Sequence, residues 1–330
     1  MKEVKHYTYF QLVWAQFKKN RLAYFSIYIV IFLFIIAVFA PFIANDKPII
    51  FIRNYKIYFP FIKNYTQFQD IEWKEYETES GEIMLKPIVF YSPTEYDLTQ
   101  TLSPPGKEHI FGTDDRGRDV FARIVWGTRI SLSVGFVAVG IALIIGLFVG
   151  SMAGYYGGKI DIYLSRFIEI IECFPTFILI LVILAFLSPS IFNIMGVIGL
   201  FGWTGIARLI RGEILKIKNQ EYVLAARAAG LSDYRIIVSH ILPNAIAPVL
   251  VSVTFGIAGA ILTESGLSFL GFGVQPPTPS WGEILSQANN YVDFAWWLTV
   301  FPGLAIFITI LAYNLIGEGI RDAIDPRLKK

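Results

Sequence analysis

The stretch LAYFSIYIVIFLFIIAVFAPFIA, Leu22–Ala44, carries no charge over 23 positions. As an α-helix rising 1.5 Å per residue it is about 34 Å long, enough to cross a hydrocarbon core of about 30 Å. It exceeds the apolar core of a secretory signal peptide, and no small-residue cleavage site follows it. The whole chain has the same bias. Of 330 residues, 55% are hydrophobic and 16% charged, whereas a soluble domain carries about 25% charged residues. These features predict an integral membrane protein.

Working outward, the apolar blocks give six expected spans: Leu22–Ala44, Ile130–Gly150, Phe167–Leu187, Ile191–Ala207, Ala245–Thr263 and Trp297–Ile316. The fold class is all-α and polytopic, with a small external insertion that contains short β-strands. The expected divisions are a tail over 1–21, a first span over 22–44 and an insertion with pre-span segment over 45–129. A five-helix core over 130–317 follows, with a loop at 211–243, and then a tail over 318–330.

Basic residues choose the sides of such a chain. The first tail has five Lys or Arg, the 208–244 connection six and the last tail four, while Glu264–Trp296 has none. Both termini and the 208–244 connection are therefore expected in the cytoplasm. Asn45–Arg129 carries eleven basic and thirteen acidic residues, and long connections translocate largely regardless of charge. Arg116, Arg118, Arg123 and Arg129 nevertheless crowd the second span, with Asp114, Asp115 and Asp119 available to pair with some of them. In the insertion, the alternation of IEWKEYE suggests strands, and Ser80-Gly81 suggests a hairpin. Tail residues Met1–Arg21 are basic and aromatic, fit for a surface helix or for a plain positive flank.

Gly146, Gly150, Gly154 and Gly158 recur every four positions, the spacing that lets helices approach closely in lipid. Glu169 and Glu172 before Pro175, and Asn314 in the last span, are polar groups in apolar surroundings. Such groups are either pathway residues or are hydrated and paired at the interface, as Arg166 would allow. Ser265–Gln287, with Pro276, Pro277 and Pro279, reads as a hairpin dipping toward a pathway or as a rigid surface loop. Cys173 is the single cysteine, and the histidines are scattered, so no metal cluster is expected. A net charge of +2 gives no basis for a nucleic-acid partner.

The segment EYVLAARAAGLSDYRIIVSHILPN, Glu221–Asn244, is polar and Ala-rich between apolar blocks. Asn219 can cap a first helix, Glu221 suits its positive end, and Gly230 supplies a left-handed terminus. Ser232 can cap a second helix from Asp233, which Pro243 interrupts. Such a pair either enters a groove in a cytoplasmic partner or merely joins two spans.

The segment resembles the cytoplasmic loop of ABC-importer permeases: E-A-A, three residues, G, nine residues, I-x-L-P. Leu224, Ala225 and Ala226 fall at E-A-A, Gly230 at the glycine, and Leu242 and Pro243 at L-P. Leu224 replaces the family glutamate and His240 the isoleucine; Glu221 shares a helix face with Leu224. HIFGTDDRGRDVFARIVWGTRISLSVG, ESGLSFLGFGVQPPTPSWGEIL and NLIGEGIRDAIDPRLK resemble further segments of the dipeptide/oligopeptide type. The long Asn45–Gly106 insertion resembles the microcin C-type branch.

The resemblance implies a multi-pass inner-membrane permease subunit, paired with a second homologous permease subunit. It also implies two ABC ATPase subunits that hold ATP and Mg, an extracytoplasmic solute-binding protein, and a peptide substrate. Glu221, Leu224, Ala225, Ala226, Arg227, Gly230, Asp233, Leu242 and Pro243 would then form the ATPase-coupling loop. The chain has no G-x-x-x-x-G-K-[ST] motif, so it is read as a non-enzyme that binds no cofactor directly. The other classes are an ATP-independent transporter or channel, which would carry mid-span charges or repeated halves, and a membrane scaffold recruiting a cytoplasmic protein.

Overall fold

A computed structural model describes residues 9–63, 65–79 and 81–324. Lys2, Lys5, His6, Ser80 and the basic end of the last tail lie outside the described residues. Among the described residues the chain is mostly helical, with one three-stranded sheet. Five helices are long and apolar enough to cross a membrane, or six if one bent pair counts as a span. Two compact units form, one of Met1–Val30, Val134–Thr263 and Ile308–Lys330, the other of Ile31–Ser133 and Glu264–Phe307.

The long helices are α2 (Arg21–Ile43), preceded by α1 (Tyr9–Phe17), and α3 (Val120–Tyr156). After them come α4 (Gly158–Glu172), α5 (Thr176–Phe186) and α6 (Ile191–Ile217). The third expected span is broken: α4 and α5 meet at 77°. Pro175 lacks an N–H and pushes Phe174 out of helical geometry, so the chain turns there. After α6 come α7 (Glu221–Ala228) and α8 (Asp233–Ile236). A π-turn at Ile237–Ile241 carries α8 into α9 (Leu242–Phe269) without a break. Pro243 was expected to interrupt this helix. Instead the widened turn stands where its ring would meet the carbonyl one α-turn back, and the helix passes through. The chain ends with α10 (Trp281–Gln287) and α11 (Trp297–Ile324).

In the first unit, the glycine row of α3 lies against α6. A Cβ on Gly146 would stand 2.8 Å from Ile206 Cβ and 3.0 Å from the Trp203 carbonyl oxygen. One on Gly154 would stand 2.9 Å from Ile214 Cβ, and one on Gly150 would run into the Ala207 carbonyl oxygen. Lipid tails are as apolar as leucine, so helix association depends on such backbone approach. Gly158 shares the spacing but not the role: at φ +55° it opens α4 with nothing near it.

The second unit holds the insertion. β1 (Ile50–Arg53) pairs with β2 (Lys56–Tyr58) and β3 (Ile83–Leu85), both antiparallel. Asn54 and Tyr55, both at positive φ, make the two-residue turn that a right-twisted hairpin requires. The sheet covers Phe51, Phe68 and Trp73, whose rings meet edge to face at 5.1–5.6 Å. IEWKEYE is therefore not a strand. Glu75 N–H donates to the Glu72 carbonyl in a turn, and Trp73 is buried by aromatic packing rather than by pleat alternation. Nor does a hairpin form about Gly81: β3 pairs with distant β1.

This unit also accounts for the crowded arginines. Arg118 and Arg123 are fully buried. Arg118 Nε donates to Asp114 at 2.6 Å, and Arg123 lies 3.4 Å from the same carboxylate and pairs with Glu283. Asp119 pairs with His109 at 2.8 Å and caps Ala122 N–H at 2.7 Å. Arg116 and Arg129 stay exposed over Tyr96 and Trp126. Over Ser265–Gln287 the chain runs helix, turn, helix, with Phe269–Phe272 and Gln275–Pro277 exposed around the turn. α9 runs on to Phe269, and after a turn Ser280 caps α10, accepting from Glu283 N–H at 3.1 Å. Glu264, buried, accepts from Ser268 and Ser280 hydroxyls at 2.7 and 2.8 Å.

Two outcomes follow. Gly150→Val forces α3 off α6 and costs about 1–3 kcal/mol as overpacking, read as a lower thermal midpoint in detergent. Gly140→Val, where no atom lies within 4 Å, leaves the midpoint unchanged. Glu283→Ala strands a buried guanidinium and costs about 3–5 kcal/mol, much of it recovered when Arg123→Met is added. Additive losses in the double variant would contradict the pairing.

Candidate functional site

α7 and α8 are held in place by their neighbours in the first unit. α6 ends at Lys218, whose ammonium donates to the Gly154 carbonyl at 2.9 Å. The α7 N-cap is Gln220, in extended geometry and with no side-chain cap; the expected Asn219 lies one residue too early. At the other end, Leu231 N–H reaches the Ala226 carbonyl at 3.2 Å and Gly230 N–H the Arg227 carbonyl at 3.0 Å. With Gly230 at φ +76° this is a Schellman terminus. Ser232 then precedes α8 as its N-cap residue, with no side-chain cap hydrogen bond.

Tyr155, near the end of α3, ties the second helix down. Its hydroxyl donates to Asp233 at 2.6 Å, and Arg227 stacks over its ring at 5.4 Å. Arg211 makes a bidentate pair with Asp161, the second bond at 2.8 Å. Val223, Ala226, Ile236 and Ile241 are buried in one cluster with Ile210, Ile214 and Ile217. Ala226 thus packs inward. The outward stripe of α7 is Glu221, Leu224, Ala225 and Ala228, all exposed. It holds two alanines, one leucine and a carboxylate at the helix start, where the dipole favours it, and Tyr222 and Arg227 are exposed beside it. Leu242 and Pro243 begin α9 beneath this pair.

The other sequence candidates stand apart from the loop. Glu169 pairs with Arg166 at 2.6 Å and Glu172 with Arg208, both at exposed positions. Asn314 is half-buried on α11. Sequence reasoning missed Tyr155, Asp161 and Lys218, the anchors of the loop. It also missed an apolar cavity of about 220 Å³ lined by Gly202, Gly205, Gly256, Gly259, Ser252 and Thr263 among others. Gly205 and Gly259 have no atom within 4 Å of an added Cβ. Glycines that pack on nothing within a helix were the available signal.

Residues 142–330, which include all of α7–α9, match the family described as binding-protein-dependent transport system inner membrane component. Residues 8–70 match the N-terminal TM domain of oligopeptide transport permease C. The dipeptide transport system permease protein DppC of Alkalihalophilus pseudofirmus is 44% identical over 72% of this chain and 78% of its own length. DppC of Bacillus subtilis is 35% identical over 98% of this chain and 87% of its own. The inner membrane ABC transporter permease protein YejE of Escherichia coli is 36% identical over 96% of both. The last two alignments run through the insertion as well as the helices. A family match over more than half the chain, joined to similarity that extends nearly end to end, means that this protein belongs to the binding-protein-dependent transport inner membrane components, the permease subunits of ABC importers.

Proposed function

We propose that the chain forms half of the translocation pathway of a peptide importer and that α7 is its contact with an ATPase. The observation that carries this is the outward stripe Glu221, Leu224, Ala225 and Ala228, held by the Schellman terminus and the Tyr155–Asp233 bond. A tethered helix that exposes Leu224 between alanines suits a groove in a second protein. Two ATPase subunits, carrying ATP and Mg, would take this helix and its counterpart on a second homologous permease subunit. A solute-binding protein would deliver cargo from outside. The basic 208–244 connection and both tails would face the cytoplasm. Nucleotide-driven approach of the ATPases would move α7, and α8–α9 would carry that movement into the membrane as rigid-body rocking. Peptide cargo, whether dipeptide, oligopeptide or microcin C-like, is supported by the names of the relatives, dipeptide permeases among them. The cavity around Gly205 and Gly259 would line the passage.

The test is co-purification of the ATPases of the same importer with this chain. Leu224→Arg and Ala228→Glu, both on the outward stripe, abolish retention while the chain stays folded; equal retention would refute the assignment. Tyr155→Phe leaves the ATPases bound but lowers transport per ATP hydrolysed, because the loop loses its tether. Gly259→Leu fills the cavity and blocks peptide uptake in proteoliposomes without releasing the ATPases. Uptake at the native rate would remove this face from the pathway.

A further inference from the structure

The sheet of the insertion has two unlike faces. Phe51, Tyr58 and Met84 point into the aromatic cluster. By pleat, the opposite face shows Ile50, Ile52, Ile57, Ile83 and Leu85, and the register sets Ile57, Ile52 and Ile83 side by side across all three strands. Ile57 and Ile83 are 60% and 63% exposed, and Ile88 just beyond β3 is 78% exposed. A contiguous aliphatic face of this kind marks an interaction surface.

What covers it is indicated by where it is attached. Val89, next to Ile88, accepts from Asn45 N–H and donates to the Ile43 carbonyl, so the β3 strand returns to the very end of α2. The chain bends at Asp46, Lys47 and Ile49, so β1 does not continue the helix axis. Phe32, Ile35, Phe39 and Phe42 form an exposed stripe along α2, and Phe42 meets Phe61 of the insertion at 4.7 Å. This exposed apolar stripe of a candidate span therefore runs on into the insertion through Phe61. The margins of the sheet face are Tyr55 and Lys86, and Glu82, next to Ile83 in the chain, is paired with Arg53 at 3.0 Å. Aliphatics with Tyr and Lys at the rim are the composition of a membrane-interface surface; a protein-binding centre would be richer in Trp, Tyr and Arg.

We propose that this sheet face lies on the leaflet reached by the Ile43 end of α2, with Ile88 and Leu85 deepest and Ile83 and Ile57 among the headgroups. The insertion is then a monotopic anchor beside a spanning helix, and this holds whatever the cargo.

The experiment uses the full chain with Cys173→Ser, reconstituted in phosphatidylcholine–phosphatidylglycerol vesicles. A polarity-sensitive fluorophore is placed in turn at Ile88→Cys, Ile83→Cys and, as an exposed control off the sheet, Glu77→Cys. Brominated lipid should quench the first two by about twofold or more, Ile88 the most, and leave the third untouched. Adding Ile57→Asp and Leu85→Asp should release the Ile88 label to aqueous iodide. Equal iodide access at all three sites overturns the proposal. So does protection that arises only after a second permease subunit or a solute-binding protein is added, since that outcome assigns the face to a protein.

Discussion

The contact on which the first unit depends is backbone against backbone, where α3 crosses α6 at Gly146, Gly150 and Gly154. In lipid the apolar effect does not drive helices together, so distance decides the strength of association. That crossing fixes the end of α6, from which Lys218 reaches back to the Gly154 carbonyl. The residue after Gly154 is Tyr155, whose hydroxyl holds Asp233. The glycine row and the tether are thus successive parts of one helix. The position of α8 is therefore tied to α3 through the Tyr155–Asp233 bond. The loop is built on a close backbone contact and two side-chain tethers, which give so short a helix as α7 a defined direction.

The second unit uses a different device. Arg118 and Arg123 are buried with Asp114 and Glu283, a cluster of two positive and two negative groups. Burying one of these ions alone would cost several kcal/mol; together they balance and fix one geometry. Glu283 comes from α10, remote in sequence from the arginines on either side of the α3 start. The cluster therefore joins the start of α3 to α10, which the buried packing of Val120 with Ile284 and Ala288 also holds together. The Phe111–Phe301 stack at 3.8 Å and the Trp297 indole bond to the Thr113 carbonyl at 2.9 Å act in the same direction.

Much of this was legible in the sequence. Spans show as charge-free blocks because a bilayer admits little else, and the loop shows as Gly230 after an alanine-rich helix because only a left-handed residue ends it so. The break at Pro175 was visible as a residue but not as a bend, since proline is often absorbed in membrane helices. Pro243 gives the opposite case, absorbed by a π-turn that no local pattern encodes. The strands of the insertion were misplaced because alternation in IEWKEYE arises from rings meeting in three dimensions. The arginine surplus before the second span was plain, yet its partner lay far along the chain in a connection with no basic residue at all. Acid with no base in one connection, Glu264–Trp296, and arginines gathered next to a span in another are the signal that was available there.

The α8–π–α9 continuity bears on how the loop would work as a coupling element. Were Pro243 a true break, force on α7 would be lost in a hinge before reaching the membrane. The turn at Ile237–Ile241 keeps one helix from Asp233 to Phe269, about 55 Å at 1.5 Å per residue. Its Asp233 end is gripped by Tyr155, and its middle borders the small-residue cavity through Ser252, Gly256 and Gly259. On the coupling role proposed above, a small tilt at the gripped end would become a displacement of the cavity wall, where glycines leave room for it. Widened helical turns are bends of low cost and recur at functional positions. Here the turn lies between the tether and the cavity, so it sets the angle at which the lever enters the membrane while leaving the lever whole.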